Sequence, residues 1–179
     1  MAGIHEFSGE ILDYNKALYK ALLEVKVDRI LQAACMLEDC KGIVWLMGNG
    51  GSLALASHMA TDLQLAGVSA QALSDSVAMS SYANDTRYSQ VFYSQLSRSF
   101  KKGDILVFIS TSGESRNLIA ILDGIRTAPN NCITLTGKDG GKLKSYGTNI
   151  HISSQNTGIV QDIHQIVLHQ ICHYLKDRV

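Results

Sequence analysis

Short apolar runs alternate with stretches of helical periodicity along most of this chain. Ile43–Met47, Ile105–Ile109, Cys132–Leu135 and Ile150–Ile152 read as strands. From about Ser8 to Glu38 no glycine or proline follows Gly9, and Ile11, Leu18, Leu22, Val25, Ile30 and Ala34 recur at helical steps, which predicts one long helix or two joined ones. Further helices are expected over Ser52–Ala66, as a pair across Ser76–Phe100, from Arg116 to about Thr127 with Ser115 as cap, and over Ile159–Lys176 after Gly158. Lys101–Asp104, Pro129-Asn130-Asn131 and Gly137–Gly141 read as turns or loops, with a polar patch near Leu73–Asp75. Strands alternating with helices predict an α/β fold, a parallel sheet covered on both faces that binds ligands beyond the carboxyl ends of its strands.

Two loops fall at such ends. Gly48-Asn49-Gly50-Gly51-Ser52 follows the first strand, and Ser110-Thr111-Ser112-Gly113-Glu114-Ser115 follows the second. Small residues let backbone approach an anion closely, and the first turn of the following helix offers unpaired N–H groups and a partial positive charge. Ser110, Thr111, Ser112 and Ser115 add hydroxyl donors without adding charge. That combination suits a phosphate monoester on a small molecule. A dinucleotide fingerprint would need glycine in place of Leu53, and neither loop ends in the Gly-Lys-Ser/Thr of a P-loop.

Composition narrows the partners. The chain has 179 residues, 46% of them hydrophobic, enough for one domain with a substantial core. Sixteen basic residues balance sixteen acidic ones, so no global field holds a nucleic-acid backbone or an anionic membrane. No apolar run approaches the roughly 20 residues of a membrane span, and the first residues lack the pattern of a signal peptide, so a cytoplasmic protein is expected. Cys35, Cys40, Cys132 and Cys172 form no CxxC pair and read as reduced core residues.

Candidate chemistry sits on two helices. His58 and Asp62, four residues apart, share a face just past the first loop, and Gln161 and His169, eight apart, share one on the closing helix. If the pairs converge, imidazole, carboxylate and amide oxygen can hold a zinc-like cation, and the same carboxylate and imidazole can move protons. His169 and His173 also share a face, but His169-Gln170-Ile171-Cys172-His173 lacks the glutamate of the HExxH motif.

The two loops with His58, Ala83-Asn84-Asp85, Leu135–Gly141, and Gln161-Asp162-Ile163-His164 with His169 together resemble the phosphoheptose isomerases of the sugar isomerase (SIS) domain family, in order across almost the whole chain. The resemblance implies a three-layer α-β-α sandwich around a five-stranded parallel sheet, residues 1–179 forming one SIS domain with an N-terminal helical assembly segment over 1–40. It implies a homotetramer with shared active sites, and conversion of sedoheptulose 7-phosphate to D-glycero-D-manno-heptose 7-phosphate on the way to nucleotide-activated heptose for lipopolysaccharide or capsule. It implies phosphate held by Ser110, Thr111, Ser112 and Ser115, and substrate lined by Asn49, Gly50, Gly51, Ser52, Asp85 and Gln161. It further implies zinc on His58, Asp62, Gln161 and His169, with Asp62 and His169 catalytic.

Three positions depart from the family pattern: Asp62 stands where glutamate is usual, Gly158 where an aspartate is frequent, and Leu55 where a polar residue is frequent. Aspartate keeps the charge but draws the carboxylate back by on the order of 1.5 Å. SIS domains also serve as binding modules, among them a tetrameric replication-initiator-associating protein that resembles this chain in both loops but usually lacks the histidine matching His169. A sugar-phosphate sensor that binds without turnover is the remaining alternative.

Overall fold

The protein is described from a computed structural model covering residues 2–125, 131–176 and 178. Its strands are β1 (Val44–Gly48), β2 (Ala70–Ala72), β3 (Ile105–Ser110), β4 (Cys132–Thr136) and β5 (Thr148–His151). All pair in parallel, in the order β2-β1-β3-β4-β5. Its α-helices are α1 (Ala2–Leu23), α2 (Val27–Glu38), α3 (Gly51–Leu65), α4 (Ser76–Asp85), α5 (Val91–Leu96), α6 (Arg116–Gly124) and α7 (Thr157–Leu175).

Strand side chains alternate between two cores. Val44, Leu46, Val107 and Ile109 pack with α1, α2, α3 and α7, whereas Trp45, Met47, Leu106 and Phe108 pack with α5 and α6. The result is the expected α-β-α sandwich. The strand order reverses direction between β1 and β3, the crevice where open α/β sheets bind ligands. Both sequence-predicted loops leave the sheet there.

Several expectations shift. The N-terminal helical stretch is two helices, parted at Glu24–Lys26. Tyr88–Gln90 forms a 3₁₀ turn between α4 and α5 within the expected helical pair. Gly158 lies inside α7, whose cap is Asn156, accepting from the amides of Gly158 and Ile159. Ser115 occupies the α6 cap position, but its hydroxyl makes no capping bond. The α6 helix ends at Gly124, before the expected Thr127, which with Pro129 and Asn130 lies outside the described residues. β2, which has no apolar run to announce it, is a three-residue strand at one sheet edge. Of the four cysteines only Cys132 is buried; Cys35 is exposed, on a helix face turned from the core, and Cys40 and Cys172 are half-buried. No helix among the described residues is long and apolar enough to cross a membrane.

The opposite end of the sheet is closed by Asp104, almost fully buried and accepting from Trp45 Nε1 (2.9 Å) and the amides of Ile43 (2.9 Å) and Lys101 (2.8 Å). A buried carboxylate with its oxygens satisfied in this way serves the fold.

Candidate functional site

At the carboxyl ends of β1 and β3, Asn49, Ser52, Ile109, Ser110, Thr111, Ser112, Ser115 and Gln161 enclose a pocket of about 90 Å³. At about 30 Å³ of liquid volume per water, that is room for a phosphate group rather than a whole sugar. The Gly113 amide donates to Ser110 Oγ (3.1 Å) and the Glu114 amide to Ser112 Oγ (3.2 Å). Each hydroxyl oxygen thus has a lone pair committed, and the Ser112 proton is available for donation. Ser110 Oγ also lies 3.3 Å from Ser115 Oγ. The missing cap bond of Ser115 leaves its hydroxyl with the other serines, beside the first amides of α6.

Glycines at two positions make this closeness possible. A Cβ on Gly51 would lie 2.7 Å from Gln161 Nε2, so only glycine lets the amide of α7 reach the start of α3. Gly113 has φ +66°, and a Cβ there would sit 1.9 Å from the Gly140 carbonyl oxygen.

Asn49 is fixed by residues that sequence reasoning missed. It exchanges amide hydrogen bonds with Asn117 (3.0 and 2.8 Å), and Tyr88 Oη donates to its Oδ1 (2.8 Å). Asn117, almost fully buried at the start of α6, carried a signal in being a buried-side amide two residues after the serine loop; Tyr88 carried none. Gly50 is exposed and adopts φ 54° as the loop turns into α3. Asp85 is exposed at the end of α4, accepting from Ser81 Oγ (3.3 Å) and Asn84 Nδ2 (3.1 Å), and is not among the residues lining the pocket.

Three residues of the two helical pairs, His58, Asp62 and His169, come together. Asp62 Oδ2 lies 3.4 Å from His58 Nε2 and 3.7 Å from His169 Nε2, and the two imidazoles meet edge to face with centroids 5.1 Å apart. One ligand atom from each of the three residues lies within 4.8 Å of the others. Around a tetrahedral zinc with ligands at roughly 2.1 Å, neighbouring donors stand about 3.4 Å apart, so the group needs only a small contraction to close on such an ion. Two imidazoles and a carboxylate are also donors that zinc takes.

Gln161 lines the serine pocket, while Gln165, one turn further along α7, places its Nε2 2.7 Å from His169 Nε2. Gln165 went unnoticed although its four-residue steps to both Gln161 and His169 were readable.

The departures from the family pattern acquire neighbours. Leu55 is half-buried and packs against the α3–α7 core. A Cβ on Gly158 would lie 3.1 Å from Tyr14 Oη of α1, and that hydroxyl donates to Asp162 Oδ2 at 2.5 Å. The bond to Asp162 pushes the Tyr14 pKa up to about 12. Where an aspartate is frequent, this chain has the phenol of α1.

The SIS domain family model matches residues 11–137. The phosphoheptose isomerase of Alteromonas mediterranea is 34% identical over 171 residues, 88% of this chain and 86% of that one; the Helicobacter pylori protein of the same name, strain Shi470, is 32% identical over 177 residues, 93% and 92%. The solved phosphoheptose isomerase of Neisseria gonorrhoeae superposes with a TM-score of 0.86 at 29% identity, covering 96% of this chain and 97% of that one. That of Francisella tularensis also gives 0.86, at 25% identity, covering 98% and 99%. The chain belongs to the SIS domain family and, within it, to the phosphoheptose isomerases.

Proposed function

We propose that the chain isomerises sedoheptulose 7-phosphate to D-glycero-D-manno-heptose 7-phosphate through a cis-enediol, supplying nucleotide-activated heptose synthesis. The observation that carries this reading is Asp62, its carboxylate held between His58 and His169 on the same two helices that wall the serine pocket. The phosphate enters the pocket of Ser110, Thr111, Ser112 and Ser115, and Asn49, Gly50, Gly51, Ser52, Asp85 and Gln161 line the sugar. Asp62 takes the proton from the carbon beside the ketone and returns it to the former carbonyl carbon, while His169 moves the hydroxyl proton between the two oxygens. Held by His58, Asp62 and His169 with Gln161 as a further donor, zinc or a similar divalent ion would polarise the substrate oxygens.

Asp62 is the weak point of heptose chemistry here, since a misplacement of about an ångström can cost on the order of a hundredfold. Incubation in heavy water with sedoheptulose 7-phosphate, followed by NMR, tests the reading: deuterium in a heptose product supports it, and phosphate binding without exchange transfers the chain to the sensor class. The His169→Asn variant is expected to lose that exchange, and unchanged exchange would remove His169 from its assigned role. Asp62→Glu is expected to raise heptose turnover if reach is the deficit.

The whole of residues 1–179 acts as one SIS domain in this reading, with 1–40 assembling a homotetramer whose sites are shared. Leu12, Tyr19, Leu23, Val27 and Leu31 support it, being exposed apolar side chains along α1 and α2. Light scattering coupled to size exclusion reads the assembly directly, and a monomer would overturn it.

A further inference from the structure

Away from the catalytic cleft, at the β5 edge of the sheet, the structure holds a cavity of about 470 Å³. The corner between α1 and α2 supplies Glu24, Lys26 and Arg29; the turn Lys142–Ser145 and the β5 region supply Lys144, Ser145, His151 and Ser153. Three cations face one carboxylate, a net charge of +2 in a chain whose total is zero. Among the described residues, none of Lys26, Arg29 and Lys144 forms an ion pair. Clustered cations repel unless an anion offsets them. The arrangement is also built: a Cβ on Gly140 would lie 2.4 Å from Lys144 Cδ, so the glycine makes room for the lysine stem. Burial and the nearby Lys144 hold the His151 imidazole below its ordinary pKa, against the opposing pull of the Asp139 carboxylate.

We propose that this cavity is a second anion site, distinct from the serine pocket, that takes a small organic diphosphate and acts on the phosphate loop. Its volume falls in the range of about 300–1,000 Å³ found for small-molecule sites, and the excess of two positive charges matches a diphosphate diester. Ser145 and Ser153 add hydroxyl donors.

The link to the phosphate loop is made of direct contacts. Lys144 and Ser145 belong to the turn whose Lys142 amide donates to Glu114 Oε1 (2.7 Å) and whose Leu143 amide donates to the Gly113 carbonyl (3.1 Å). A second route runs from His151 Nδ1 to Thr136 Oγ1 (3.2 Å) and from the Thr136 carbonyl to His164 Nε2 (3.3 Å), one turn along α7 from Gln161. An anion that fixes Lys144 fixes the turn buttressing Gly113 and Glu114. Occupancy therefore tightens phosphate binding, and by linkage phosphate tightens occupancy by the same factor, of about fivefold or more.

The test uses the full chain, inorganic pyrophosphate as probe and NMR of labelled histidines and backbone amides, so it needs no turnover and stands apart from the isomerase reading. Pyrophosphate is expected to shift His151 saturably, and Lys26→Ala with Lys144→Ala is expected to weaken that response at least tenfold while phosphate-induced shifts at Thr111 and Ser112 persist. Arg29→Gln, a milder change, is expected to weaken it less. A His151 signal unmoved at millimolar pyrophosphate, or moved equally in the lysine variant, overturns the site. An unchanged affinity of the serine pocket for inorganic phosphate when pyrophosphate is bound at His151 overturns the coupling. Tighter binding of a sugar-linked diphosphate than of pyrophosphate supports an organic ligand; equal or weaker binding overturns that part and leaves the free anion as the occupant.

Discussion

Ser110 is 4% exposed and held by a backbone amide at a strand end, whereas His58 and His169, on helix faces of the same cleft, are each 52% exposed by side chain. The anion pocket is made by chain path: glycines at close approaches, hydroxyls pinned by amides, and a reciprocal amide pair at Asn49. The cluster of His58, Asp62 and His169 is made by side chains alone, reaching from α3 and α7. Binding geometry of the first kind is preorganised, while geometry of the second kind contracts when substrate or an ion arrives.

If the halves are separable in this way, damage to one should leave the other. Asp62→Asn keeps the shape but removes the carboxylate proposed as base and ion ligand. Deuterium exchange is expected to fall about a thousandfold, in keeping with the range for general acid–base groups, while sugar-phosphate affinity measured by calorimetry stays within about threefold. A parallel collapse of affinity would break the comparison.

Gly113→Ala attacks the other half. The new methyl would stand 1.9 Å from the Gly140 carbonyl oxygen in a left-handed conformation, so the loop must move. The expected loss in urea unfolding is about 2–3 kcal/mol, with phosphate affinity falling alongside. Uptake of added zinc by the proposed His58, Asp62 and His169 site, read by calorimetry on the folded fraction, should survive.

The same division explains what was legible in the sequence. Glycine and serine placed after apolar runs announce a phosphate loop, because backbone requirements restrict residue type at each position. His58 with Asp62 was readable as one turn of helix, and the approach of His169 to this pair comes from α3 packing against α7. Tyr88 and Tyr14 were invisible, since each reaches its partner across the fold from a segment with no local motif. β2 escaped for a related reason: Ala70-Gln71-Ala72 is held by pairing with β1 rather than by its own apolar content. Cys35 misled because cysteine is usually buried, whereas this one lies on an exposed face of α2.

His164 beneath the binding half gives a smaller effect through pH. It is fully buried, its Nδ1 has no hydrogen-bond partner among the described residues, and burial lowers its pKa to about 4. The unfolded chain binds a proton near pH 6.5 that the folded chain refuses until about pH 4. Stability is therefore full above about pH 6.5 and falls with pH through that window, by up to about 1.4 kcal/mol per unit. Urea unfolding at pH 7.5 and pH 5 should differ by roughly 2 kcal/mol from this group, and His164→Leu should flatten the slope.

Tyr88→Phe probes the weakest join in the binding half. Asn49 Oδ1 accepts from Asn117 as well as from Tyr88, so losing the phenol leaves the oxygen satisfied. Tyr88 is itself 56% exposed, and water can replace its hydroxyl. The expected cost is about 0.5–1 kcal/mol in substrate binding, seen as a KM raised two- to fivefold with kcat nearly unchanged. A large fall in kcat instead would mean that Asn49 orientation governs the chemical step, and the division between a preorganised binding half and an open chemical half would no longer hold at the residue where they touch.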